Sequence, residues 1–293
     1  MEERENPKEK LIKKENKMNN VRNNLRSPEQ ILEKAIEEQF LCCCIDYDLT
    51  ISEYKTYIDL KKKVIPSYDP QNLIHENSLS QLFSKSKNII FKDKESSDLI
   101  SNGTLSTKNS TNIEDEAIIW RKVGFQTGNP RTDFRAGGIF SLDLMNYFVN
   151  NYEKEYINMI NEDYFPFALV CIRLSYLLRI YLFLLSSEEI RINLKYQKNI
   201  LSTRKELKYF CYFLDDNNNL LFDIACIGLR FIYQKYMGKK KIGNKEVNYL
   251  IIDPIIISSI KCLKNTLNSL NINDDFISKL KKSYRENYLK TLE

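Results

Sequence analysis

The run from Phe165 to Leu185 constrains the fold more than any other part of this chain. It is apolar almost throughout, and its length approaches the ~20 residues of a membrane span. Arg173 and Arg179 lie inside it, and each guanidinium near the centre of a spanning helix costs about 2.5–3.5 kcal/mol. Pro166 stands at its start, where a helix tolerates a residue without an N–H. A buried core helix is the better reading, with the two arginines partnered or reaching solvent at its edge.

A core helix needs other amphipathic elements around it, and the sequence supplies them. The chain has 293 residues, enough for one good core. Residues 1–27 are charged and Asn-rich and are expected to be a disordered tail. They hold no apolar stretch of a signal peptide, and Glu2 stands where myristoylation needs glycine. Ser27-Pro28-Glu29-Gln30 reads as a helix start, and residues 28–83 as the N-terminal helices of the domain. Among these, Tyr54 to Val64 reads as a helix ended by Pro66, and His75 to Phe83 as a short amphipathic one. Residues 84–114, rich in Ser, Asn, Lys and Asp, read as a mobile low-complexity insertion.

The main body is expected over residues 115–293. Leu142, Met145, Phe148, Val149 and Tyr152 recur at helical spacing. Leu207 to Leu214 is a short helix, and Leu221 to Ile232 an amphipathic one with Gly238 at its C-terminal stop. Asp253-Pro254 reads as an N-cap followed by proline, and Asp274-Asp275 leads a last helix. Val247 to Ile252 is the one plausible extended run. The predicted fold class is all-α, a single multi-helix domain.

Composition excludes several kinds of chemistry. The net charge of +5 is spread without a basic stripe, so no nucleic-acid partner is expected. The seven cysteines form no CxxC pair and His75 is the sole histidine, so no metal site is expected. Cys171, Cys211, Cys226 and Cys262 read as small buried apolar residues, consistent with a reducing cytosol. The Cys42–Cys44 triplet reads as a buried helix end or as a palmitoylation site. No phosphate-binding GxxxxGK[ST] loop and no catalytic triad pattern occurs.

One segment is built differently from the rest. From Trp120 to Gly138 the chain holds its single Trp and Gly124, Gly128, Gly137 and Gly138. The pattern Trp120, Gly124, Phe125, Gln126, Pro130, Thr132, Asp133, Phe134, Arg135, Gly138 resembles the signature of the ELMO domain. The upstream Tyr68, Asp69, Asn72, His75 and Glu76 resemble the family's preceding segment, and Phe165-Pro166-Phe167-Ala168 its next block. The resemblance covers about residues 65–270.

It implies an all-α domain that works on small GTPases, either as an activator of Arf-family and Arf-like GTPases or within an adaptor acting with an exchange factor on Rac-type GTPases. The chain lacks room for the adaptor's armadillo and pleckstrin-homology regions, which favours the activating branch. GTP and Mg²⁺ would come with the GTPase, and the protein would need no cofactor of its own. It would be cytoplasmic, or peripheral at membranes through its partner. Arg135 matches the position of the presumed catalytic Arg. Thr127 and Ala136 stand where the family leads one to expect Gly, and Gly137 where Met is common. These changes bear on the loop's activity more than on the fold.

The residues leave alternatives open. Arg135 is either an arginine finger, whose planar guanidinium donates to phosphoryl oxygens, or half of a structural ion pair with Asp133 or a later carboxylate. Asp133 reads as a cap or an orienting group. Gln126 braces the backbone or orients water. Trp120 and Phe125 read as core anchors, His75 as a cap or core hydrogen-bonder, and Arg121 and Arg131 as solvated charges able to steer a partner.

Overall fold

The computed structural model describes residues 49–98, 113–162, 164–186, 189, 200–241, 249–271 and 273–289. Contacts divide the chain after Asp46, and the described residues belong to the second unit, Tyr47–Glu293. They form ten α-helices and no strand: α1 (Ile51–Val64), α2 (Leu73–Asp98), α3 (Ile113–Val123), α4 (Gly138–Asn151), α5 (Glu153–Asn161), α6 (Phe167–Tyr181), α7 (Arg204–Asp216), α8 (Leu220–Lys241), α9 (Tyr249–Asn268) and α10 (Phe276–Leu289). A 3-10 turn, Pro130–Thr132, lies between α3 and α4. The all-α class read from the sequence is the class observed. No helix among the described residues is long and apolar enough to cross a membrane.

The apolar run is the centre of the fold. Twelve of the fifteen residues of α6 are buried, and α4, α8 and α9 pack around it. It stops at Tyr181 rather than Leu185, because Phe183 turns to a left-handed φ of 54° and the Leu184 N–H bonds back to the Arg179 carbonyl at 2.8 Å. The two arginines resolve differently. Arg173 pairs with Asp253 of α9 at 2.7 Å. Arg179, 1% exposed, donates to the carbonyls of Leu184, Ala136 and Ile65 at 3.1–3.3 Å and to the Glu189 carboxylate at 2.9 Å.

Cap chemistry sets the flanking helices. Thr50 and Glu53 form a capping box at the start of α1, and Thr203 and Glu206 one at the start of α7. Glu206, fully buried, also accepts from Tyr181 of α6 at 2.9 Å and Asn268 of α9 at 2.6 Å. One N3 carboxylate thus closes a helix end and joins three helices, and burial without those donors would be costly. Cys171, Cys211, Cys226 and Cys262 are buried free thiols, as expected.

Four expectations change. The helix predicted to end at Phe83 runs to Asp98, so the insertion expected from Ser84 starts inside a helix. Leu79, Leu82, Ser86 and Ile89 keep helical spacing and are all buried. Ser86 belongs to that stripe because its hydroxyl is satisfied by the Leu82 carbonyl at 2.8 Å and lies 2.6 Å from Tyr156 Oη. Gly238 does not stop α8, which continues to Lys241, where Lys240 reaches the Glu162 carboxylate beyond α5. Tyr249–Ile252, the described part of the Val247–Ile252 run expected to be extended, is helical, and Asp253 and Pro254, expected as N-cap and first residue, both sit inside α9. Burial of Ile252, Ile255 and Ile256 offsets the hydrogen bond that proline removes. The Ser27–Gln30 helix start, Cys42–Cys44 and residues 99–112 lie outside the described residues.

Candidate functional site

The loop between α3 and α4 hangs on aromatic rings. Trp120, the last buried ring of α3, meets Phe83 at 5.2 Å and Phe125 edge-on at 5.3 Å. Phe125 meets Phe134 at 5.6 Å, and Phe134 stacks on Tyr68 at 4.8 Å. Trp120, Phe125 and Phe134 are each at most 5% exposed, so they anchor the loop, as expected. Gly124 makes the first bend at φ 99°, and a Cβ there would lie 2.6 Å from the Phe167 nitrogen. Only glycine allows the chain to pass so close to the start of α6.

Polar groups brace what the rings hold. The Gln126 N–H donates to Asp133 Oδ2 at 2.8 Å. The Asn129 side chain caps the 3-10 turn at Pro130 by accepting from Arg131 N–H. The hydroxyls of Thr127 and Thr132 both donate to the Asn129 carbonyl, at 3.0 and 3.1 Å. Arg131 forks onto Glu76 of α2 with contacts of 2.9 and 2.5 Å, and Tyr68 donates to the same carboxylate. Arg131 therefore holds Glu76 below the usual carboxylate range, and burial, with Glu76 beside it, pushes the Tyr68 hydroxyl upward. The expectation that Arg131 is a solvated, steering charge is corrected: it is a structural partner. His75 is a hydrogen-bonder, its Nδ1 accepting from Asp69 N–H at 3.0 Å.

The far end of the loop is closed from below. Gly138, at φ 59°, donates to the Phe134 carbonyl at 2.8 Å. Ile139 N–H and the Arg179 guanidinium reach the carbonyls of Pro66 and Ala136. Thr127 and Ala136 are not in the left-handed region, so their Cβ atoms add no backbone strain there. At Gly137 a Cβ would lie 2.7 Å from both side-chain atoms of the buried Ser141. The small residue at 137 and the Ser at 141 fit one another.

Arg135 differs from all of its neighbours. It is exposed and makes no hydrogen bond or ion pair with the described residues. Asp133, its candidate partner, is engaged by Gln126 and Thr132. Arg135 lines a hollow of about 810 Å³ with Gln126, Thr132, Asp133, Arg173 and Asp253. Gln126 is exposed there and braces the loop through its backbone. The arrangement offers a free guanidinium on a fixed loop, able to donate to an anionic group brought to the hollow. The sequence reading missed Arg173 and Asp253 as members of this site and Arg179 as its support. Two charges inside an apolar run were the available signal, but nothing local pointed from them to the loop.

The ELMO/CED-12 family matches residues 59–248. The chain is similar to ELMO domain-containing protein A of Dictyostelium discoideum, 31% identical over 125 residues, covering 39% of this chain and 12% of that protein. It is similar to ELMO domain-containing protein 2 of Bos taurus, 27% identical over 194 residues, covering 64% of this chain and 58% of the relative. The Homo sapiens protein of that name is 27% identical over 182 residues, covering 60% and 54%. The chain thus spans little more than half the length of these mammalian relatives. No solved structure matches it.

Proposed function

The chain belongs to the ELMO/CED-12 family, and on that footing we propose that it binds a small GTPase of the Arf or Arf-like type and speeds GTP hydrolysis by supplying Arg135 in trans. The observation that carries this reading is the isolation of Arg135: an exposed guanidinium with no partner among the described residues, on a loop whose neighbouring polar groups are engaged. GTP hydrolysis spreads negative charge over the transferring phosphoryl group, and an Arg inserted there raises the rate by about 10³–10⁵. Its fork of donors stays protonated throughout, which a Lys point charge does not reproduce in geometry. The GTPase brings the nucleotide and Mg²⁺, and a partner held at a membrane would carry this cytoplasmic protein to its periphery.

The test is single-turnover GTP hydrolysis by a panel of Arf and Arf-like GTPases, with wild type and Arg135→Lys side by side. Acceleration by wild type that Arg135→Lys loses, with both proteins melting alike, is the expected result. Absence of acceleration by well-folded wild type on every member would overturn the activating role and leave a non-catalytic adaptor.

A further inference from the structure

The hollow at Arg135 does not end at Arg135. Leu169 of α6, half-buried, lines it and also lines a second hollow of about 270 Å³ beside Phe125, Phe165 and Pro166. Tyr164 stands at that second hollow, 77% exposed, with a left-handed φ of 67°. A bulky aromatic residue seldom takes that conformation, and outliers of this kind cluster at functional positions. The ring itself is little packed by the described residues.

The charge around the two hollows is net positive. Three described carboxylates line them: Asp253 and Glu162 are neutralised by Arg173 and Lys240, while Asp133, held only by neutral donors at Gln126 N–H and the Thr132 hydroxyl, keeps its charge. Arg121 and Lys122 line the second hollow as exposed side chains with no ion pair among the described residues, as Arg135 does in the first. Three unpaired cations, Arg135, Arg121 and Lys122, thus stand against the single unneutralised carboxylate of Asp133 among the described lining residues, and the net charge of this face is positive around an apolar floor at Leu169.

We propose that the two hollows form one docking surface for an acidic face of a folded protein partner, with Tyr164 as its aromatic anchor and Arg121 and Lys122 as its electrostatic guide. The inference rests on the GTPase reading above and names the groups that hold the GTPase while Arg135 acts. Aromatic rings beside desolvated pockets are the usual anchors of such interfaces, and rim cations matter most to the rate of encounter.

The experiment measures binding of the full chain to the same GTPase panel loaded with a non-hydrolysable GTP analogue, together with melting temperature. Tyr164→Gly keeps the left-handed backbone that glycine adopts freely, so its melting temperature should hold or rise while affinity falls about tenfold or more. The double change Arg121→Glu with Lys122→Glu should slow association and flatten its dependence on salt. Wild-type affinity and salt dependence in these variants would overturn the docking surface, even where Arg135 proves essential to hydrolysis. Weakened binding in both, with Arg135→Lys still accelerating hydrolysis, would keep the surface and remove the role of Arg135. Failure of wild type to bind any member would overturn the proposal.

Discussion

Gly138 sits at φ 59°, and a Cβ there would lie 2.7 Å from the Pro66 carbonyl oxygen. Both facts exclude a side chain, one through backbone strain and one through contact with backbone that cannot rotate away. Gly138→Ala should therefore lower stability by about 2 kcal/mol or more, read as a shift in the urea midpoint. Arg135, three residues earlier, is exposed and has no hydrogen bond or ion pair among the described residues. Arg135→Ala should leave stability within about 0.5 kcal/mol of wild type. A loss of several degrees in melting temperature would mean that Arg135 has a structural partner. The two residues share a loop and a motif, yet their constraints are opposite: one is held by the absence of a side chain and the other has a side chain with no polar partner among the described residues.

Arg179 acts between elements. Its guanidinium ties the end of α1 at Ile65, the functional loop at Ala136 and the exit of α6 at Leu184, with Glu189 supplying the counter-charge. Arg179→Met would leave buried carbonyls without donors and should cost on the order of 3 kcal/mol in thermal or urea unfolding. The pair between Arg131 and Glu76 has similar chemistry but a different setting, with side chains 45% and 24% exposed. Water already solvates much of it, so Arg131→Ala should cost less than about 1 kcal/mol. Comparable losses in the two variants would show that burial is not what separates them.

Over the whole molecule, a titration reports how the helices enclose charge. Asp143 of α4 is half-buried in a hollow shared with α1 and α2 residues, including Lys63 and His75. Burial pushes its carboxyl from 3.8 up to about 6, with His75 acting in the other direction. The folded state thus holds the proton more tightly than the unfolded chain. The stabilisation linked to that proton is full below 3.8 and is lost as pH rises through about 6. Asp143→Asn should stabilise the protein by on the order of 1–2 kcal/mol near neutral pH, with the gain shrinking as pH falls below about 6 and vanishing below 3.8. An equal gain at both pH values in urea titrations would count against this origin.

Local signals in the sequence specify much of this architecture. The Phe165–Leu185 run announced a core helix, and Asp133, Phe134 and Gly138 marked a shaped loop, because spacing within an element and cap or glycine chemistry act over a few residues. The extent of α2 escaped the same reading, since Ser86 looks polar until Tyr156 and the Leu82 carbonyl satisfy it. Gly238 misleads as a helix stop and Asp253-Pro254 as a helix start for the same reason: packing outweighs local preference. Arg173 meets Asp253 across a separation of 80 residues, and Arg131 meets Glu76 across 55. Such pairings depend on how helices cross, and no spacing in the chain encodes them. Residue types and periods specify which segments become helices and where glycine is required. The packing of those helices leaves Arg135 free, engages the carboxylates around it and turns Tyr164 outward, because only the folded arrangement assigns each charge its partner.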